Sequence, residues 1–203
     1  MARKGKLFVI SGPAGSGKGT VMNLLTEKSG DFSLSVSLTS RPMLKGECEG
    51  VNYYYVTREQ FEEKIADGEV LEYTEYCGNY YGTPRRHALD VIESGKHLLL
   101  EIEVDGAMQI KRAYPEAVLV MILPPNAKVQ EHRLRTRGRD TEESIQKRLK
   151  RTREELEFAG SYDYILLNED GRADDVASAI EMIASDSADK VTDSREAVAT
   201  YFN

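Results

Sequence analysis

The chain has 203 residues, 40% of them apolar and 30% charged, with a net charge of −7. This is enough for one core with small inserted lobes, and the composition is that of an ordinary globular protein. No apolar run approaches the roughly 20 residues of a membrane-spanning helix, so no membrane partner is expected. Two cysteines, Cys48 and Cys77, and three scattered histidines make no zinc-binding pattern. They read as reduced thiols of a cytoplasmic protein.

The N-terminal "MARKGKLFVIS" has basic residues and a short apolar stretch that runs into glycines without a cleavage site, against a signal peptide. Residues 7–11, "LFVIS", read as a buried strand. The stretch "SGPAGSGKGT" follows, with Gly12, Gly15, Gly17 and Gly19 around Pro13, Ala14, Ser16 and Lys18. Gly12, four residues, then Gly17-Lys18 is the phosphate-loop pattern. Its backbone N–H groups and the next helix's positive end hold phosphate oxygens, and Lys18 reaches the β- and γ-phosphates. A nucleoside triphosphate is therefore expected. The hydroxyl that usually follows the lysine comes one residue late, at Thr20, so magnesium is expected to be held weakly there and mostly through water.

Further along, "HLLLEIEV" (97–104), "AVLVMIL" (117–123) and "DYILLN" (163–168) read as three more strands. Continuous Val/Ile/Leu runs fit a parallel sheet covered on both faces. Helical spacing follows the glycine loop and Pro84, and recurs at Ile145, Leu149 and Leu156 and at Val176, Ile180 and Ile183. The fold class is α/β: a three-layer core with a parallel sheet, assigned to residues 1–34, 86–126 and 157–203. Residues 35–85, with a short helix near 58–67 and most of the tyrosines, read as an inserted α+β lobe. Residues 127–156 read as a helical lid. The polar tail from Ser185 is expected to be a weak extra helix or partly disordered.

Charge is unevenly spread. Residues 128–153 hold ten Lys/Arg against four Asp/Glu, a net of +6 that leaves −13 on the rest of a chain totalling −7. A local anionic ligand fits this better than a nucleic acid, since Asp140, Glu142 and Glu143 interrupt the basic run. Within "HLLLEIEV", Glu101 interrupts an apolar run and is expected to be a buried acid with a partner.

The loop, "SVSLTSR" (35–41), "GVNYYYV" (50–56), "VLEYTEYCGNYYGTP" (70–84), "LEIEVDGA" (100–107) and "RTRGRDTEESIQKRL" (135–149) together resemble the guanylate kinases, in order and spacing, over about residues 5–185. The resemblance implies transfer of the γ-phosphoryl group of ATP to GMP, and also to dGMP, with magnesium carried alongside ATP. It implies that Ser37, Glu72, Thr83 and Glu101 face the guanine, that Arg41, Tyr53 and Tyr81 grip the GMP phosphate, and that the 35–85 lobe binds GMP. It places Arg133, Arg137 and Arg148 over the transferring group and Asn168 on the adenine side. Tyr54 and Tyr80 read as packing residues. Two alternatives stay open: a kinase for another phosphorylated acceptor such as ribose 1,5-bisphosphate, and a non-catalytic interaction module. Monomer and homo-oligomer both fit the sequence.

The chain departs from the family pattern in "RPMLKGE" (41–47), where Leu44 replaces a second phosphate-binding arginine and Lys45 is the adjacent cation. It also departs at Thr136, Arg139 and Asp140, and at Asp105, expected on a loop surface.

Overall fold

The apolar runs become neighbouring strands because each is covered on both sides. In the computed structural model, which describes residues 4–189 and 191–203, the main sheet contains β1 (Leu7–Ser11), β2 (Phe32–Leu34), β7 (His97–Glu101), β8 (Val118–Leu123) and β9 (Tyr164–Leu167). Their order is β2-β7-β1-β8-β9 and every pairing is parallel. Residues 1–3, assigned above to the core, lie outside the described residues.

Alternate side chains feed two cores. Leu7, Val9, Leu98, Leu100, Leu119 and Met121 face α3 (Arg85–Glu93), α4 (Val104–Ala113) and the end of α6 (Glu142–Leu156). Phe8, Ile10, Leu99, Val120 and Ile122 face α1 (Lys18–Lys28) and α7 (Ala173–Ala184). Each such side chain contributes about 1.5–3 kcal/mol of burial.

Two expectations are corrected here. The run 97–104 is a strand only to Glu101, after which the chain leaves the sheet and starts α4 at Val104. Asp105 therefore sits in the first turn of a helix, where a carboxylate complements the helix dipole. Glu101 is exposed: it ends its strand and lines a cleft.

The second sheet is built from β3 (Leu38–Thr39), β4 (Tyr54–Tyr55), β5 (Val70–Tyr76) and β6 (Asn79–Pro84), in the order β4-β3-β6-β5. It closes over α2 (Arg58–Ala66), whose start carries a reciprocal capping box between Thr57 and Gln60. Phe61 fills the small core with Leu38 and Val70, and Tyr54 and Tyr80 pack against it. The Phe61 and Tyr80 rings stack at 5.2 Å. From α4, the Gln109 side chain exchanges two hydrogen bonds with the Tyr73 backbone, at 2.9 and 3.2 Å. That amide tethers the edge strand β5 to the main body.

The basic stretch forms α5 (Ala127–Thr136) and α6, and much of its charge is paired within the protein. Arg135 meets Glu131 and Glu142, Lys147 meets Glu143, and Arg151 meets Glu103 and Glu155. The tail carries a short extra helix and packs on the main core. After a 3₁₀ turn and the short α8 (Ala197–Thr200), Tyr201 is 1% exposed, so one aromatic ring anchors an otherwise polar segment. Among the described residues, no helix is long and apolar enough to cross a membrane.

Candidate active site

At the end of β1 the chain turns through Gly12, Gly15 and Gly17, all at positive φ, before α1 begins at Lys18. Side chains are excluded here by contact as well as by backbone angle. A Cβ on Gly12 would lie 2.1 Å from the Ile122 carbonyl oxygen, and one on Gly17 would lie 2.4 Å from Asn168 Nδ2. Gly19 differs: it is helical, and nothing lies within 4 Å of its Cβ position. Lys18 folds back onto the loop, its Nζ donating to the carbonyl oxygens of Gly12 and Pro13. Burial pushes its ammonium pKa down, against the pull of Glu101 and Glu155. An incoming phosphate would restore the charge's partner.

Asn168, following β9, reaches the same loop. Its Nδ2 donates to the Ser16 carbonyl oxygen at 2.7 Å, and its own carbonyl oxygen accepts from Arg133 at 2.7 Å. Arg133 also donates to Gly15 O at 3.2 Å and pairs with Asp170 at 2.7 Å. One guanidinium thus joins α5, the glycine loop and the loop after β9. Arg137, Thr20, Gly15, Gly17 and Asn168 line a cleft of about 730 Å³ beside them. Ser16 Oγ in the loop and Asn168 Oδ1 beside the cleft are buried without hydrogen-bond partners.

Across the carboxyl ends of the strands lies a second cleft of about 350 Å³. Ser37, Tyr53, Glu72, Tyr81, Glu101 and Asp105 contribute to its wall. Glu72 is its most unusual member, at 3% exposure. The register of β5 against β6 slips by one residue between Val70 and Tyr73, so Val70, Leu71 and Glu72 are buried in succession where a regular strand would alternate. The slip sends Leu71 to the main core and Glu72 toward Thr83, whose buried hydroxyl donates to Glu72 Oε1 at 2.8 Å. On α4, Gly106 leaves room for the carboxylate; a Cβ there would lie 2.8 Å from Glu72 Oε2. Burial pushes the Glu72 carboxyl up to about 7, against the hydrogen bonds from Thr83.

Arg41 lies beside this cleft, 5.5 Å from the Tyr53 ring centre, and both its terminal nitrogens bind Glu47. Glu47 also accepts from the Leu44 backbone N–H at 2.7 Å and the Tyr55 hydroxyl at 2.8 Å. The Arg41 bonds and this N–H hold its carboxyl down to about 2, while burial and Glu47 push the Tyr55 phenol up to about 12. Leu44 itself is 59% exposed. Arg148 lines neither cleft, and its Nε donates to Asp140 at 3.1 Å.

Sequence reasoning missed several participants. Glu47 and Tyr55 orient Arg41, Gly106 admits Glu72, and Asp140 holds Arg148. Gln130 is buried on α5 and donates to Ala14 O of the loop. Only Glu47 left a signal, as the acid closing "RPMLKGE". Gly106 and Gln130 act through contacts distant in sequence.

Comparison with known proteins agrees with this geometry. A protein-family model described as guanylate kinase matches residues 4–186. The chain is similar to the guanylate kinase of Nostoc sp., at 48% identity covering 83% of this chain and 85% of the relative. It is also similar to that of Oceanobacillus iheyensis, at 45% identity covering 82% and 81%. A crystal structure of guanylate kinase from Anaplasma phagocytophilum superposes with a TM-score of 0.70 at 32% identity, covering 94% of this chain and 90% of that one. These findings give no support to a sugar-phosphate kinase or a non-catalytic module. The chain belongs to the guanylate kinase family.

Proposed function

We propose that this ATP:GMP phosphotransferase works with its two clefts as two nucleotide sites, ATP on the glycine loop and GMP between the small sheet and α4. The pairing of a phosphate loop with a buried, hydroxyl-bound carboxylate, Glu72, supports the reading most strongly. Guanine presents N–H donors at N1 and N2 and an acceptor at O6. Glu72 and Glu101 would accept from the donors, and Ser37 would donate to the acceptor, while Thr83, whose hydroxyl already donates to Glu72, would orient that carboxylate. Adenine would turn an unprotonated N1 toward a carboxylate, an unpaired contact that such sites reject by about 10⁴-fold.

Arg41, Tyr53 and Tyr81 would hold the GMP phosphate, largely a dianion at neutral pH. The nucleophilic oxygen is then already ionised and needs no protein base. It bonds to the γ-phosphorus of ATP as the bond to the bridging oxygen breaks, giving GDP and ADP. Lys18, the loop N–H groups, Arg133 and Arg137 would neutralise charge on the phosphoryl oxygens, the dominant need of such a reaction. Asn168 would border the adenine. Residues 127–156 would close as a lid, bringing Arg148 from Asp140 to the phosphoryl group and excluding water.

Magnesium fits as an ion carried in by ATP. Among the described residues no group of His, Cys, Asp or Glu could hold a metal by itself. The exposed Thr20, at the rim of the ATP cleft, would be the one protein ligand, with water completing the shell. When bound, the ion shares the charge of the β- and γ-phosphates. Both cysteines are exposed and free, which fits a reducing cytoplasm. Deoxy-GMP is expected as a second acceptor, since the proposed contacts are to base and phosphate.

Calorimetric titration tests the base-reading site. GMP should bind the wild type, lose most of its affinity with Glu72→Gln, and outcompete IMP, which lacks the N2 donors. Equal binding of GMP and IMP, unaffected by Glu72→Gln, would refute it.

A further inference from the structure

Gln130 lies fully buried on α5, and its amide makes three hydrogen bonds. Nε2 donates to Ala14 O in the glycine loop at 2.9 Å and to Thr152 Oγ1 on α6 at 2.8 Å. Oε1 accepts from the Tyr201 hydroxyl at 3.1 Å. The sense of this network is forced. A backbone carbonyl can only accept, so Nε2 must face Ala14, leaving Oε1 to face Tyr201. Thr152 passes its own proton to Arg148 O, at 2.9 Å. Each donor in the node therefore has an acceptor, and Oε1 has one protein donor, the phenol.

The segment supplying that phenol is fixed to the same two helices. The Ala127 N–H, starting α5, donates to Tyr201 O at 2.9 Å. Arg153 of α6 sits 3.7 Å from the Phe202 ring centre. This segment lies beyond residues 4–186 matched by the family model, so nothing in the family match assigns it a role.

We propose that Gln130 is a positioning residue for the ATP loop, and that Tyr201 makes residues 197–203 a determinant of ATP affinity by holding the Gln130 amide in its donating sense. Without the hydroxyl, Oε1 is a buried acceptor with no donor, and flipping the amide would set oxygen against Ala14 O. The amide can relieve its unpaired oxygen only by turning out of the node, and the loop then loses the bond that fixes Ala14 between Gly12 and Gly15. The inference rests on the reading that this loop holds the ATP phosphates.

Calorimetric titration of the full chain with the ATP analogue AMP-PNP, and separately with GMP, tests it in Tyr201→Phe, Gln130→Leu, the double variant and Lys18→Met. Tyr201→Phe should weaken AMP-PNP binding roughly three- to tenfold, the net size of one hydrogen bond, and leave GMP binding unchanged. Gln130→Leu should weaken AMP-PNP at least as much, and adding Tyr201→Phe should bring no further loss. AMP-PNP binding by Tyr201→Phe at wild-type strength would overturn the proposal, even with a lowered Tm. So would an equal loss for both nucleotides, which marks a general packing role. Lys18→Met separates the two readings: if it leaves AMP-PNP binding intact, the loop assignment itself has failed.

Discussion

Arg41 and Glu47 form a two-pronged ion pair, Nη1 to Oε2 at 3.1 Å and Nη2 to Oε1 at 2.7 Å, on the residue proposed to grip the GMP phosphate. The pair fixes the guanidinium plane near Tyr53 and Tyr55 while keeping its charge in place. Glu47→Ala should raise KM for GMP, toward the roughly 10²-fold that misplacement of a positioning group can cost, with KM for ATP unchanged. The carboxyl titrates near 2, below its unfolded value, so its contribution to stability is present above about pH 4.5 and lost as pH falls toward 2. The pair itself should therefore add no inflection to GMP affinity between pH 6 and 9, so the pH series of KM for Glu47→Ala should run parallel to that of the wild type.

Glu72 behaves in the opposite sense. Its carboxyl is raised to about 7 in the folded protein, so the protonated form is the comfortable one. Stability from this group is present below about pH 4.5 and lost as pH rises through 7, a swing of roughly 3 kcal/mol. GMP binding needs the carboxylate and should weaken as pH falls below 7. Glu72→Gln should then raise stability at pH 8 by about 2 kcal/mol while abolishing discrimination for guanine. Denaturant unfolding at pH 5 and pH 8 reads the first effect, and GMP titration the second.

Leu44 stands exposed where the family pattern has an arginine. A planar guanidinium can hold phosphate in two places, which a neighbouring lysine cannot. Leu44→Arg should lower KM for GMP with kcat little changed. An unaltered KM would show that Lys45 or the backbone already supplies the contact.

Arg148 and Asp140 are held 3.1 Å apart, with Arg148 partly exposed and Asp140 mostly buried, and the Ser144 hydroxyl also donates to Asp140, so the carboxylate keeps a partner when Arg148 leaves. Arg148→Ala should lower kcat by roughly 10²–10³, the range for losing one donor to developing charge, with both KM values nearly kept. Asp140→Asn should change kcat by less than about fivefold. Steady-state kinetics on the two variants distinguishes a stored catalytic arginine from a structural one.

Local patterns carried much of this molecule. The glycine loop is legible because Gly12, Gly15 and Gly17 need conformations and clearances that few residues allow, and the strands because both faces are covered. The interruption of "HLLLEIEV" misled in one respect: Glu101 ends its strand and is exposed, whereas the buried acid is Glu72, placed by a register slip that periodicity does not encode. Helix α4 was obscured because Gly106, which gives the Glu72 carboxylate its space, weakens the helical pattern there. Strand β2 has three residues and β3 and β4 have two each, too short for any period to show. Gln130 and Tyr201, 71 positions apart, meet only through the tertiary fold.

The most direct test of the central claim is turnover with an acceptor panel. Purified protein with Mg-ATP is offered GMP, dGMP, AMP, UMP and ribose 1,5-bisphosphate, and ADP release is followed for each. Near-exclusive turnover of GMP and dGMP is the predicted result. Turnover of AMP at a comparable rate, or of the sugar bisphosphate in place of GMP, would contradict a guanine site read by Glu72.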